Sequence, residues 1–470
     1  MVQEPVSNWR VDSAVVLAFL VASALGCKGS SGSLPVGQDP VAPNSVGGDE
    51  RAALAWASYG YSLFGSSVAR VGDVDLDGRP DFLIANPGLY GDRGIVWVLS
   101  GRDGTVLHRV ESDENGDGFG HDIRAAGDVD ADGHPDWIVG SLVEKVRGNE
   151  PLDPGDTNGP RPEVSHGILL RDPGYAAVYS GRTGERLLLL HGEERGDLFG
   201  FAVTGAGDSN GDGHPDLLVS APRALGGAGR VYLFSGRDGS MLRRMDGSSP
   251  QEHLGGDLCD AGDLDGDGRA EYAAATASGD DSGLLARAFS GKTGTQLWTV
   301  ERDPRCRSYG VKIRGGGDIN RDGRIDLLIA YSGGIEILSG QDGAVLRRFD
   351  GSWADGYGGA VDSLSDVGGA GSVNVVAGQP RVAAGTGSVL TIDPDSPGTV
   401  QVLDAPDGMW YFGHSMAALG DLDGDGRSDF IVGTDNSMSH EPGRARVYSG
   451  RSQKLLMEMT RSGNRVLVKR

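Results

Sequence analysis

Short apolar runs recur along the whole chain and are separated by acidic, glycine-rich loops. The spacing typical of an amphipathic helix is hard to find after residue 27. One run in each unit follows an Asp-Gly loop, as in DFLIA at 81–85. Two more flank a Ser-Gly-x-(Asp/Thr)-Gly turn, as at 95–110 and 230–245. Apolar and β-branched runs around glycine turns predict strands and hairpins, so the pattern predicts an all-β protein.

The unit of this pattern occurs seven times. Each copy begins with an aromatic residue or leucine followed by glycine, at Phe64, Phe119, Phe199, Leu254, Tyr309, Tyr357 and Phe412. The spacing is about 55 residues, except for one shorter interval and one that carries about 25 extra residues between Asp136 and Ser180. Four strand-like pieces per unit predict a seven-bladed β-propeller of four-stranded antiparallel blades over residues 51–470. Either 52–58 or 454–460 can supply the last outer strand, and the sequence leaves both open.

The N-terminus has the features of an export signal followed by a linker. An apolar stretch at 14–25 is too short to span a bilayer but suits a signal-peptide core. It ends in Ser-Ala-Leu-Gly-Cys, similar to a bacterial lipobox, so we predict a signal peptide over 1–27 with Cys27 as the lipidated residue. An ordinary secretory signal cleaved nearby is the alternative. Residues 28–50 are rich in Gly, Ser and Pro and are expected to form a flexible linker.

Charge and cysteine content narrow the functional classes. The formal net charge of −23 argues against a nucleic-acid partner, because phosphates would be repelled. Besides Cys27, the chain has Cys259 and Cys306. They either form a disulfide in an oxidising compartment or remain two partly buried thiols.

The acidic residues concentrate in six copies of an Asp-x-(Asp/Asn)-x-Asp-Gly-x-x-(Asp/Glu) loop. Carboxylates this close repel one another unless a cation lies among them. Oxygen ligands at alternate positions, with Gly at the sixth position for a sharp turn, suit Ca²⁺. Positions 1, 3, 5 and 9 of each loop would provide side-chain ligands, and position 7 would provide its backbone carbonyl. The six loops would form about six such sites. The predicted ligands are Asp73, Asp75, Asp77, Arg79, Asp81; Asp128, Asp130, Asp132, His134, Asp136; Asp208, Asn210, Asp212, His214, Asp216; Asp263, Asp265, Asp267, Arg269, Glu271; Asp318, Asn320, Asp322, Arg324, Asp326; and Asp421, Asp423, Asp425, Arg427, Asp429.

Two other interpretations of the loops are weighed against this one. An EF-hand needs a Glu at position 12 and flanking helices, but position 12 is apolar here, as at Ile84 and Val139. The loops could also be solvated Asp-Gly turns without metal. The seventh copy, at Asp366, lacks carboxylates at positions 3 and 5 and is predicted to fold without metal. A near match at Asp113 to Gly118 is predicted to be an acidic loop between blades and not a site.

Strand alternation assigns the loops to two faces. The acidic loops and the third-to-fourth turns should share one face. The insertion at 141–174 is a second-to-third connection, so it should project from the opposite face. Long loops on a rigid scaffold often bind ligands, although a neutral insertion is equally compatible with the sequence.

These units resemble FG-GAP repeats, as in the N-terminal propeller of integrin α chains. The resemblance rests on the Phe-Gly starts, the Asp loops, Ala-Asn-Pro at 85–87 or Ser-Ala-Pro at 220–222, and third strands such as 229–234. It implies calcium in the loops of one face and ligand binding at the other. Integrin-style heterodimers are not expected, because no leg domain, membrane span or inserted domain is recognised in these residues.

Three functions follow as hypotheses. The first is an exported, lipid-anchored, calcium-binding propeller of the cell surface that adheres to a protein or glycan and is not an enzyme. The second is a structural envelope component without a specific ligand. The third is a quinoprotein-like propeller enzyme, suggested by SGKTGTQLW at 290–298, although no nucleophile-base pair or zinc-ligand spacing is found. The membrane would be contacted only through the lipid anchor.

Overall fold

The computed structural model describes most of the predicted propeller. The predicted signal peptide (1–27), the linker (28–50), Cys306, residues 52–58 and Asp366 of the incomplete loop lie outside the described residues. The predictions made for them therefore remain predictions. The described residues are 63–88, 93–142, 164–165, 168–169, 173–277, 283–301, 311–331, 334–351, 359–365, 373–381, 385–396, 400–406, 409–434 and 443–470.

Seven antiparallel sheets form the blades of a propeller, and the strands of each are consecutive in the chain except where a short hairpin interrupts blade two. Blades one to four consist of Ser67–Gly72, Asp81–Asn86, Arg93–Leu99 and Val106–Asn115; Ile123–Gly127, Asp136–Ser141, Tyr175–Tyr179 and Arg186–His191; Val203–Gly205, Leu217–Ala221, Arg230–Phe234 and Met241–Asp246; and Leu254–Gly262, Glu271–Thr276, Leu284–Phe289 and Gln296–Glu301. Blades five to seven consist of Lys312–Gly317, Asp326–Tyr331, Gly334–Leu338 and Val345–Asp350; Val361–Ser365, Val373–Gln379, Ser388–Ile392 and Val400–Asp404; and Ser415–Gly420, Asp429–Gly433, Arg444–Tyr448, Leu455–Ser462 and Arg465–Lys469.

This arrangement confirms the predicted seven-bladed propeller of four-stranded antiparallel blades. The first strands of successive blades contact one another in order, and those of blades one and seven also meet, so they form the innermost ring. The outer strand of blade seven is Leu455–Ser462, which agrees with the C-terminal of the two alternatives. The sequence did not predict the fifth strand of this blade, Arg465–Lys469, which pairs with Leu455–Ser462.

Two connections between strands contain secondary structure of their own. The insertion of blade two contains a short hairpin, Val164–Ser165 with Ile168–Leu169. It leaves the sheet at Ser141, the end of the second strand opposite the acidic loop, as strand alternation predicted. A single helical turn, Ala224–Gly227, connects the second and third strands of blade three. Among the described residues, no helical segment reaches the length and hydropathy of a membrane span.

The hydrophobic core lies between the blades. Each of seven clusters of buried side chains combines residues of two adjacent sheets. One of them closes the ring, because it packs Phe64 and Trp97 of blade one against Leu419 and Met459 of blade seven. Each sheet has apolar side chains on both faces, so a single blade cannot bury its apolar surface without its neighbours.

A glycine directly before each acidic loop lets neighbouring blades interlock. Gly72 has a φ of +111°, and an added Cβ would lie 2.8 Å from Pro135 of the next blade. Gly127 with Pro215, and Gly420 with Pro80, repeat this contact at other blade junctions, the last of them at the ring closure. The acidic loop of one blade is thus packed against the acidic loop of the next.

Ion pairs cross the centre of the ring. Arg314 of blade five donates to Asp257 of blade four at 2.5 Å, and Arg124 of blade two lies 3.6 Å from the same carboxylate. Because blade three separates blades two and four, the contact between Arg124 and Asp257 must pass through the central channel. Asp257 is 2% exposed and also accepts the backbone N–H of Ile313. The channel is therefore bridged by a buried charge network that the sequence analysis did not predict.

Candidate metal centre

The six acidic loops join the first and second strands of blades one to five and seven. In the first loop the carboxylate of Asp73 accepts the backbone N–H groups of Asp77 and Gly78, at 2.9 and 2.8 Å. Asp75 and Asp77 accept further N–H groups inside the loop. The same bonds recur in the other five loops, for example from Asp322 and Gly323 to Asp318. The repeated sequence therefore produces one repeated loop conformation.

The acid at position 9 has a second role that the sequence did not predict. Asp81 is fully buried; its Oδ2 accepts the N–H of Val74 at 2.7 Å and its Oδ1 that of Gly101 at 2.9 Å. Gly101 belongs to the turn between the third and fourth strands. The position-9 acids of all six loops make this pair of bonds, so each one fastens its acidic loop to the neighbouring turn on the same face. The other five are Asp136, Asp216, Glu271, Asp326 and Asp429.

In several loops the carboxylate oxygens converge closely enough to share one cation. One oxygen from each of three acidic residues lies within 4.8 Å of the others in four groups. The groups are Asp73, Asp75 and Asp81; Asp128, Asp130 and Asp136; Asp263, Asp265 and Glu271; and Asp421, Asp423 and Asp425. The loops at Asp208 and Asp318 have Asn at position 3, so they bring fewer carboxylates together. All-oxygen ligand sets of this kind fit a hard divalent cation.

Burial is the main cause of the raised pKa values of the position-9 acids. Burial raises the pKa of Asp81 to about 6 and that of Asp136 to about 7. Burial also raises the pKa of Asp75, and the charge of Asp77 adds to the effect. Within the described part of the chain no Lys or Arg forms an ion pair with Asp81 or Asp136. A buried carboxylate without a countercharge is costly, and a bound cation would remove that cost.

The fourth position of each loop imposes a conformational requirement that sequence analysis missed. Leu76 and Ala131 have φ of +58° and Arg321 has φ of +63°, in the left-handed region that glycine favours. The other three loops have glycine there, at Gly211, Gly266 and Gly424. That recurrence of glycine is the signal that could have identified the position. Position 6 is also left-handed in all six loops, as its glycine predicted.

Side chains at position 7 reach the loop of the preceding blade. Nδ1 of His134 hydrogen-bonds with the carbonyl oxygen of Val74 at 2.7 Å, and Nδ1 of His214 does so with that of Val129 at 2.8 Å. Arg269 lies 3.8 Å from Asp208, a position-1 acid. The imidazole rings therefore face the neighbouring blade, which leaves the backbone carbonyl as the group that position 7 can offer its own loop.

The near match at Asp113 to Gly118 is only partly the inter-blade loop that was predicted. Asp113 and Asn115 belong to the fourth strand of blade one, because that strand continues to residue 115. Asp117 is fully buried and accepts hydrogen bonds from Ser112, from the N–H of Phe119 at 3.0 Å and from Tyr175 Oη at 2.8 Å. Its carboxylate therefore ties blade one to blade two.

Cys259 is a free, buried thiol on the first strand of blade four. Its Sγ donates to the carbonyl oxygen of Asp260 at 3.0 Å. Burial raises the pKa of this thiol, so it is expected to remain protonated and unreactive near neutral pH.

Comparison with known proteins agrees with the geometry of the blades and loops. The FG-GAP repeat profile matches residues 64–99, 199–234 and 412–451, each of which begins at a Phe-Gly pair and contains an acidic loop. The chain therefore contains FG-GAP repeats in these three segments. Its repeats also resemble integrin α chains, as the sequence predicted.

Three integrins illustrate the extent of that similarity. Integrin alpha-5 of Xenopus laevis is 30% identical over 230 residues, which are 46% of this chain and 20% of the relative. Integrin alpha-V of Gallus gallus is 28% identical over 188 residues, covering 39% and 16%. Integrin alpha-IIb of Homo sapiens is 31% identical over 174 residues, covering 33% and 16%. The chain thus spans a fifth or less of the length of these relatives.

Comparison with solved structures gives matches of low sequence identity. The crystal structure of rhamnogalacturonan lyase YesW is 17% identical, with a TM-score of 0.48, and the match covers 83% of this chain and 72% of that one. A similarity at this level carries no argument about activity.

Proposed function

We propose that this FG-GAP propeller is an exported, calcium-binding protein of the cell surface that binds a protein or glycan and has no enzymatic activity. The convergence of three carboxylate oxygens within 4.8 Å, in four loops of one face, carries the proposal. Calcium is favoured because the ligands are oxygens and the loop alternates them around a sharp turn. About six ions would be held by the six complete loops, and the lipid anchor at Cys27 would retain the protein at the membrane.

The calcium part is tested by calorimetric titration of the chelator-treated protein. About six equivalents of Ca²⁺ are expected to bind. Asp75→Asn should weaken or remove one site, because it neutralises a position-3 ligand. Asp103→Asn is a matched control, since Asp103 is an exposed turn acid on the same face but belongs to no candidate group. Absence of calcium binding by the wild-type protein would contradict the proposal.

The ligand-binding part concerns the face opposite the acidic loops. Trp410 is 40% exposed and precedes the first strand of blade seven, whose other end leads to the loop at Asp421. An exposed indole provides a flat apolar surface on which a sugar ring or a protein side chain can pack. The blade-two insertion emerges on this same face.

Binding to native cell-surface extract is the readout for this second part. Trp410→Ala should reduce capture of surface protein or glycan by the immobilised protein. Leu76→Ala is the control, because Leu76 is 58% exposed but lies on the acidic-loop face. If Leu76→Ala reduced capture as much as Trp410→Ala, or if the wild type captured nothing, the assignment of the binding face would be wrong.

A further inference from the structure

Asn210 and Gly211 form an exposed Asn-Gly pair at positions 3 and 4 of the acidic loop of blade three. Such a pair is chemically labile, because glycine leaves its backbone nitrogen free to approach the side-chain carbonyl of the preceding asparagine. The described residues contain one other Asn-Gly pair, at Asn115, which belongs to the fourth strand of blade one and pairs with Arg93. The pair at Asn210 is therefore the described one that lies in a loop and not in a sheet.

Hydrogen bonds within the loop polarise both of the groups that would react. The backbone N–H of Gly211 donates to Asp208 Oδ1 at 2.5 Å, which draws the proton away from the nitrogen. The side-chain Oδ1 of Asn210 accepts the N–H of Asp212 at 2.8 Å, which draws electrons away from the carbonyl carbon. These bonds make the Gly211 nitrogen more nucleophilic and the side-chain carbon of Asn210 more electrophilic.

A cation from the next blade lies against the same peptide unit. The guanidinium of Arg269 fills the space over Gly211 that a Cβ would occupy, and it lies 3.8 Å from Asp208. A positive charge here favours loss of the Gly211 amide proton, because it stabilises the negative charge left on the nitrogen. Gly424, at position 4 of the blade-seven loop, has nothing within 4 Å of an added Cβ, so the contact with Arg269 is a particular feature of blade three.

We propose that Asn210 is a modification site at which the protein deamidates spontaneously. The Gly211 nitrogen forms a bond with the side-chain carbonyl carbon of Asn210, and the Nδ2 group leaves with the amide proton as ammonia. Water then opens the resulting succinimide at one of its two carbonyl carbons. The products are aspartate or isoaspartate, and no atom changes its oxidation state.

The two products should have opposite effects on cation binding, an inference that rests on the proposed calcium function. Aspartate adds a carboxylate at position 3, where four of the six acidic loops already have one. Calcium affinity depends on the number of charged ligands, so this product should bind more tightly. Isoaspartate instead inserts a methylene group into the backbone between positions 3 and 4. That insertion disturbs the alternate spacing of the ligands and should weaken the site.

The modification is tested by incubating the whole chain in EGTA at mildly alkaline pH and mapping its peptides by mass spectrometry. Asn210 should be lost while Asn320 stays intact over the same period. Asn320 is the matched control, because it occupies position 3 of the blade-five loop and accepts the N–H of Asp322 at 2.9 Å, but Arg321 follows it. Since EGTA removes calcium, this result does not depend on whether the loops bind the ion.

Three variants separate the contributions of glycine and of the cation. Arg321→Gly creates an Asn-Gly pair in blade five, and glycine suits the φ of +63° at this position, so Asn320 should now be lost. Arg269→Gln should slow the loss of Asn210 by about tenfold, because the nearby positive charge is removed. Arg79→Gln changes the same position in blade one and should leave that rate unchanged.

Calcium titration tests the consequence for binding. Asn210→Asp reproduces the aspartyl product and should bind one equivalent of Ca²⁺ about tenfold more tightly than the wild type, whereas the isolated isoaspartyl form should lose one site. The proposal is overturned if Asn210 is retained as fully as Asn320. An equal rate in Arg269→Gln would exclude the role of the cation. If Asn210 is lost but the wild type binds no calcium, the proposed calcium function fails and the modification stands.

Discussion

Asp257 illustrates how much depends on a single buried carboxylate. Burial opposes its ionisation, but the charges of Arg314, Lys312 and Arg124 outweigh burial and lower its pKa to about 2. It therefore remains ionised in the folded protein, and its partners come from blades two and five. One side chain thus connects three blades across the channel.

Asp257→Asn is expected to destabilise the protein by about 3 kcal/mol, because Arg314 loses its ion-pair partner and Arg124 keeps only Asp122. Asp246→Asn removes an exposed partner of Arg230 and should cost less than about 1 kcal/mol. Chemical denaturation measures both. Equal effects of the two substitutions would show that the channel network does not stabilise the fold.

Protonation of Asp257 at low pH should also destabilise the protein, because it removes the same negative charge. Its pKa is lower in the folded state than in the unfolded chain, so its stabilising contribution is complete above about pH 4. That contribution is lost as the pH falls through about 2. Between these values the stability of Asp257→Asn should depend less steeply on pH than that of the wild type, as measured by denaturation in a pH series. A steeper dependence in the variant would contradict this explanation.

At the scale of loops and strands, the junction between blades depends on small residues where two acidic loops meet. Gly72 must adopt a positive φ and also leave room for Pro135. The first strand is bulged at this point in five blades, for example between Arg70 and Gly72. The bulge and the glycine together direct the loop toward the next blade.

Gly72→Ala should therefore destabilise the protein more than a glycine change that adds backbone strain alone. Gly283→Ala is the control, because Gly283 has a φ of +71° and nothing lies within 4 Å of an added Cβ. The control should cost about 1–2 kcal/mol, and Gly72→Ala about 1–3 kcal/mol more, because of the overlap with Pro135. Thermal denaturation compares the two. Similar losses of stability in the two variants would show that the overlap with Pro135 does not destabilise the junction.

At the scale of the whole molecule, the ring is closed by packing between blade one and blade seven. Ser415 Oγ donates to the carbonyl oxygen of Gly65 at 2.6 Å, and Pro80 packs on Gly420 at the other end of the same strand. The acidic loops take part in these junctions all around the ring. Bound calcium would therefore stabilise the junctions as well as the individual loops.

Removal of calcium should lower the melting temperature by about 5 °C or more. A ligand that binds only the folded state contributes about 2.7 kcal/mol per site at 100 times its Kd. Differential scanning calorimetry with EGTA, and after restoring Ca²⁺, measures the change. Magnesium at the same concentration is the control, because it prefers a rigid octahedral site and retains water. An unchanged melting temperature in EGTA would remove the main support for calcium.

The sequence by itself determined the repeated parts of this protein. Seven copies of one unit specify seven blades, since each strand is defined by a local apolar run and each turn by nearby glycine. The acidic loops were predictable for the same reason. The hydrogen bond from the N–H of Asp77 to the carboxylate of Asp73 joins residues that are close in the sequence. The double role of Asp81 was not, because Gly101, 20 residues away, is brought to it only by the folded sheet.

Only the tertiary structure decided where distant parts of the chain meet. The ion pairs of Asp257 and the fifth strand of blade seven join residues that no periodic pattern relates. The physical reason is that ring closure places side chains together by geometry rather than by spacing in the sequence. A repeat specifies the blade, whereas the contacts across the channel and at the closing junction arise once all seven blades are in place.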